Sequence, residues 1–207
     1  MYVPEIYRPP DRAWAVELVR DNPLALLVTD GPGGPYATHL PTVLPPLSGG
    51  ELTGVRMHGH LNRANPHWPA LAGAGRALLV FQGPHGYVSP TVYGTDPAAP
   101  TWNFTAVHLR GAVSVVSDRE ETLDVIRRTV AALERRAGTG WDMTRSLGYF
   151  DELLPGVGAF RLDVETVDCM VKLSQEKPAE VRERVIRAFR SSGRGLDREL
   201  AALMARL

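Results

Sequence analysis

The stretch TWNFTAVHLRGAVSVVS, residues 101–117, decides the fold. It contains no proline and is long enough to cross a barrel and bend within it, with Gly111 as the bend. Working outward, LALLVTD (24–30) and YATHLPTVL (36–44) are two strand-like runs joined by the glycine-rich turn at 31–34, as a hairpin requires. In the second run Tyr36, Thr38, Leu40 and Thr42 share one face, and Ala37, His39, Pro41 and Val43 share the other. Pro41 has no N–H to give to a ladder, so it marks an edge or a bulge. After the Pro-Pro-Leu-Ser-Gly-Gly loop at 45–50, LTGVRMHGHL (52–61) is again strand-like and puts His58 and His60 on the same side. ALLVFQG (77–83), GYVSPTVY (86–93, interrupted by Pro90) and VGAFRLDVETVDCMVKLSQ (157–175) complete the strands.

Helical spacing fills the rest. An N-capped helix is expected over 11–21, a short one within 62–75, and an amphipathic one of about five turns from Asp118 to Gly138, with apolar positions at 123, 126, 130 and 133. A further short helix is expected in 141–154, and two more flank SSGRG (191–195). The regular strand–helix alternation of a doubly wound parallel sheet is missing. The expected fold class is therefore α+β, mainly β: a closed or split antiparallel barrel over residues 1–177, with peripheral helices and a C-terminal helical extension over 178–207.

The 207 residues carry 23 Lys+Arg against 23 Asp+Glu, a formal charge of zero, so no global field draws the chain to a polyphosphate backbone or an anionic bilayer. Only two of the basic residues are lysines, Lys172 and Lys177. Cys169 is the only cysteine, which excludes an intramolecular disulfide and a cysteine-built metal site within one chain. With no basic, apolar leader and no apolar run of membrane-spanning length, the cytoplasm is the expected location, with no membrane partner.

The six histidines, 39, 58, 60, 67, 85 and 108, form no HExxH pair, and the chain has no GxGxxG, no GxxxxGK[ST] and no GxSxG. His60 ends a strand ahead of a turn, a place from which a neutral imidazole can enter a cleft and ligate iron, though the same place suits a turn histidine bonded to backbone. Tyr87, Tyr93, Trp102, Asn103 and Phe104 supply aromatic walls and polar handles for a planar cofactor, or an ordinary core. Lys172 and Ser174 share a face of the final strand, where a lysine turned to a cofactor would meet a carboxylate or phosphate.

The stretches MYVPEIYRPPD (1–11), ATHLP (37–41), GHLNRANPHW (59–68), FQGPHGYVSPTVY (81–93), PTWNFTAVHLRG (100–111) and VKLSQEKP (171–178) together resemble the PaiB-like family, usually labelled FMN-binding negative transcriptional regulators. The resemblance implies a flavin-reductase-like split β-barrel, generally a homodimer with cofactor pockets at the subunit interface. It also reaches a subset of haem b enzymes, the piperazate synthases, which cyclise N5-hydroxy-L-ornithine to L-piperazic acid with loss of water. The absence of a helix-turn-helix and of a basic run weighs against direct nucleic-acid binding. Where flavin-labelled members read KLSQN followed by a basic residue, this chain reads KLSQEKP.

On the haem reading, His60 is the metal ligand, Tyr93 and His39 handle protons, and Lys172 or Arg63 holds the substrate carboxylate or a haem propionate. On the FMN reading, Arg63, Lys172 and Ser174 contact the phosphate and Trp102 borders the isoalloxazine. A third reading is a cofactor-free barrel that acts only as a dimeric interaction module.

Overall fold

Alternating burial along six extended segments builds a barrel, seen in a computed structural model that describes residues 1–47 and 50–207. The strands are β1 (Leu24–Thr29), β2 (Tyr36–Val43), β3 (Arg56–Asn62), β4 (Arg76–Val88), β5 (Thr101–Val115) and β6 (Val157–Lys172). They close in the order β1-β2-β3-β6-β5-β4, and the β1–β2, β1–β4, β2–β3 and β3–β6 pairings are antiparallel. The α-helices among the described residues are α1 (Ala13–Asp21), α2 (His67–Ala74), α3 (Pro90–Tyr93), α4 (Arg119–Ala137), α5 (Leu147–Leu153), α6 (Ala179–Arg190) and α7 (Gly195–Met204). None is long and apolar enough to cross a membrane.

Contacts divide the chain into two units. The first comprises Met1–Leu18, Gln82–Val107 and Asp168–Leu207; the second comprises Val19–Phe81 and His108–Val167. In the second, Leu27, Met57, Leu79, Leu109, Phe160 and Leu162 are fully buried and form the core. In the first, α6 and α7 pack as a hairpin through Val185, Ile186, Phe189, Leu200 and Met204.

Several expectations are refined by the structure. On β2 the face of Leu40 and Thr42 is indeed the buried one. Pro41 sits where β2 changes partner: pairing with β1 ends at Leu24↔Pro41, and pairing with β3 begins at Thr42↔Gly59. A missing N–H costs least at such a handover. Gly111 lies inside β5 because β6 comes so close that a Cβ there would collide with the Asp163 carbonyl oxygen. Residues 48 and 49 of the loop expected at 45–50 lie outside the described residues.

Two expectations are corrected. The expected strand over 86–93 does not exist as such: β4 runs unbroken to Val88, then Ser89 caps α3 through its Oγ and Pro90 takes the first helical position. Ser-Pro here is a helix start, with proline's missing N–H placed where a helix has no use for it. On α4 the buried stripe is Thr122, Val125, Ile126 and Thr129, so of the four apolar positions expected inside only Ile126 belongs to it. The two threonines enter because each hydroxyl donates to the carbonyl four residues back, Thr122 to Asp118 and Thr129 to Val125, both at 2.8 Å.

Candidate functional site

Strand β3 carries the histidines. Met57, Gly59 and Leu61 point to the core, so His58 and His60 share the opposite, half-buried face. A side chain at position 59 would collide with the Phe160 ring, which would come within 2.6 Å of a Cβ, and glycine there lets β3 lie flush on β6 with His60 opposite Ala159. Burial lowers the pKa of His60 below the usual imidazole value. The ring is therefore neutral near pH 7, and its Nδ1 is buried with no hydrogen-bond partner among the described residues. His58 is lowered too, first by burial and then by Arg128.

The NRANPHW segment that follows is pinned at both ends. Arg63 donates from Nε to the Val157 carbonyl at 2.8 Å and lies over the Trp68 ring, 5.5 Å from its centroid. Its terminal nitrogens have no partner among the described residues, and Arg63 borders a small cavity of about 130 Å³ with Ser117, Arg119 and Thr122. His67 is 1% exposed, and both its ring nitrogens are spent: Nε2 on the Thr29 hydroxyl at 2.9 Å, Nδ1 on the Thr38 hydroxyl at 2.8 Å. Tyr36 stacks on the same ring. His67 thus clamps α2 to β1 and β2, while His39, one residue beyond Thr38, faces solvent.

In the first unit, β6 delivers Lys172, whose Nζ donates to Thr101 Oγ1 at 2.8 Å and stands 5.7 Å from the Tyr7 ring centroid. Ser174 follows in the left-handed conformation, φ 63°, fully buried. Its Oγ accepts from the Asn103 amide at 2.9 Å and returns a bond to Asn103 Oδ1 at 3.2 Å. Ser174 therefore anchors the strand end rather than presenting a free hydroxyl to a phosphate. Tyr93 is 2% exposed; its hydroxyl has no partner among the described residues, and Lys177 lies 4.9 Å from its ring centroid. Tyr7 donates to Glu176 Oε2 at 3.2 Å. Burial first, and the Glu176 charge second, push both phenols above the ordinary tyrosine value, so both stay protonated at neutral pH. Trp102 is exposed, donates from Nε1 to His85 Nδ1 at 3.3 Å, and stacks on that imidazole with Tyr87 tilted against it.

Of the residues singled out in the sequence, Tyr93, Trp102, Lys172 and Ser174 belong to the first unit, and His39, His60 and Arg63 to the second. Sequence reading missed the His67 clamp and Glu176. No group of three or more His, Cys, Asp or Glu among the described residues is set to hold a bare metal ion.

Residues 1–166 match the family model described as "Putative FMN-binding domain". The chain belongs to this family. The FMN-binding-domain match takes in His39, His60, Arg63, Tyr93 and Trp102 and stops short of Lys172 and Ser174. "Protease synthase and sporulation protein PAI 2" of Bacillus subtilis (strain 168) is 27% identical over 99% of this chain and 96% of its own length, which makes the chain PaiB-like. An uncharacterised protein of Aspergillus fumigatus is 30% identical over 86% of each chain. Among solved structures, the flavocytochrome Anf3 from Azotobacter vinelandii superposes with a TM-score of 0.58 at 19% identity, covering 82% of this chain and 72% of that one. The FAD and heme binding protein from Mycobacterium smegmatis gives 0.55 at 15%, covering 84% and 78%. These similarities confirm the split-barrel fold expected of the FMN-binding-domain family.

Proposed function

We propose that this chain is a haem b enzyme, a homodimeric piperazate synthase that forms the N–N bond of L-piperazic acid by dehydrative cyclisation of N5-hydroxy-L-ornithine. The observation that supports it is His60, a neutral imidazole with a buried, unspent nitrogen, which lies within β3 two residues before its end rather than ending the strand as expected. A buried polar atom without a partner asks for one, and neutral imidazole is the common proximal ligand of haem iron. Arg63, with its terminal nitrogens free beside that strand end, is suited to a propionate.

Bound iron supplies Lewis-acid polarisation of the substrate's N5–O bond. The chain's own residues handle the rest. The N5–O bond breaks with its electron pair leaving as hydroxide, the α-amine lone pair forms the N–N bond, and no external oxidant or reductant enters. Hydroxide leaves as water only if protonated, and the Tyr93 phenol is a protonated donor whose hydroxyl is not engaged elsewhere. The α-ammonium must first lose a proton; His39, exposed on β2, is the imidazole given that role. Lys172, steadied by Thr101, meets the substrate carboxylate.

The decisive test supplies purified protein with haem b and N5-hydroxy-L-ornithine and follows piperazic acid by mass spectrometry. Turnover that His60→Ala abolishes supports the reading; haem-loaded protein that never yields piperazic acid refutes it. The family's FMN label and the exposed Trp102–His85–Tyr87 group favour a second reading, an FMN-binding regulator or oxidoreductase with Trp102 bordering the flavin. Released flavin in place of haem would select it.

A further inference from the structure

The two lysines of the chain lie in one cluster, each over a tyrosine: Lys172 at 5.7 Å from the Tyr7 centroid and Lys177 at 4.9 Å from that of Tyr93. Glu176 links the two pairs, accepting the Tyr7 hydroxyl at 3.2 Å and lying 4.0 Å from Lys177 Nζ. The Glu176 and Lys177 side chains are 31% and 34% exposed, so a small solute can reach both, whereas Tyr93 beneath them is 2% exposed.

The charges state what such a solute must carry. Two ammonium groups against one carboxylate leave an excess positive charge, which an anion neutralises. Glu176 repels a plain anion unless the ligand also brings a cation to meet it. A zwitterionic α-amino-acid head group brings both charges on one carbon, with the carboxylate facing the lysines and the ammonium facing Glu176. The Tyr7 bond limits the rotamers of Glu176, so less freedom is lost when the ammonium arrives.

We infer that Glu176, held by Tyr7, receives the α-ammonium of the amino-acid substrate, with Lys172 and Lys177 taking its α-carboxylate. The identity of the substrate rests on the proposed function; the preference for a zwitterionic head group does not. Glu176 is then a specificity residue, acting in binding rather than in the bond-making step.

Calorimetry on the full chain tests this with two stable probes: L-ornithine, and 5-aminopentanoic acid, which is ornithine without the α-amine. The native protein should bind L-ornithine at least about tenfold more tightly, as a charge-assisted bond implies. In Glu176→Gln that preference should vanish, with L-ornithine bound more weakly and 5-aminopentanoic acid bound no more weakly than before, because the carboxylate that repels its head end is gone. Tyr7→Phe, which keeps the charge but frees the side chain, should weaken ornithine by about two- to tenfold. The inference is overturned if the native protein does not distinguish the two probes, or if Glu176→Gln distinguishes them as before. Should ornithine discrimination depend on Glu176 while haem loading or cyclisation fails, the head-group site stands and the proposed reaction falls. Cyclisation with an unchanged KM in Glu176→Gln does the opposite, upholding the reaction and removing Glu176 from the head-group site.

Discussion

Asn103 and Ser174 exchange two hydrogen bonds: the Asn103 amide donates to Ser174 Oγ at 2.9 Å, and that hydroxyl donates back to Asn103 Oδ1 at 3.2 Å, with both residues fully buried. The pair fixes the chain just beyond Lys172, at the one non-glycine residue of positive φ among those described. Ser174→Ala leaves the buried Asn103 amide with only Met204 Sδ at 3.7 Å as a partner and should cost about 1–3 kcal/mol. Ser174→Gly loses the same bonds but relieves the left-handed backbone, so it should be about 1 kcal/mol less harmful than the alanine variant. Urea unfolding of the two variants checks the order, and a glycine variant less stable than the alanine one would contradict it.

His67 is placed for structure, not chemistry. Removing the ring by His67→Ala leaves the Thr29 and Thr38 hydroxyls without their imidazole partner and opens a cavity beneath Tyr36. A loss of about 2–4 kcal/mol is expected. A triple change, Thr29→Val, Thr38→Val and His67→Phe, should recover part of it, because the imidazole and both hydroxyls go together and only the Asn65 amide loses its Thr38 acceptor at 3.3 Å; no recovery would argue against the clamp.

Much of this was legible in the sequence, and the exceptions have physical causes. Strands announce themselves because period-two alternation is local, and β2 shows it residue by residue. Residues 90–93 read as strand from their apolar and aromatic side chains, but Ser89 caps and Pro90 starts a helix there. The stripe on α4 misleads because threonine hydroxyls can hide on their own helix. His60 reads as the end of its strand, whereas β3 runs on to Asn62; what is legible is that it shares a face with His58. The clamp on His67 joins residues 38 and 29 positions apart, and the Tyr7–Glu176 bond spans 169, separations that no local pattern encodes.

Stability should fall on mild acidification. In haem-free protein His58, His60 and His67 all have folded pKa values lowered chiefly by burial. The unfolded chain titrates near about pH 6.5, so below that pH it binds protons the folded state refuses, and unfolding gains. The stability is complete above about pH 6.5 and declines as the pH drops toward the lower folded values. A second decline belongs below about pH 4, where Glu121 and Asp163, lowered by bonds from Arg161 and Arg56, finally take up protons. Urea midpoints measured from about pH 7.5 to about pH 2.5 would show the two steps; a midpoint that rises from about pH 7 to about pH 5.5 would contradict the first.

Cys169 should be inert in the native protein. It is 8% exposed, and burial pushes its thiol up to about 12. At pH 8 its reaction with a disulfide reagent should be at least about 100-fold slower than in the urea-unfolded chain, because only the thiolate reacts. Native labelling at the unfolded rate would mean the strand end around Cys169 is open.

The most direct measurement is the absorption spectrum of the purified protein and of its His60→Ala variant, each with a pyridine haemochrome and a released-flavin assay. A Soret band with about one haem b per chain in the native protein, lost in His60→Ala, is the predicted result. Flavin bands without haem, or haem retained with an unchanged spectrum in the variant, would contradict it.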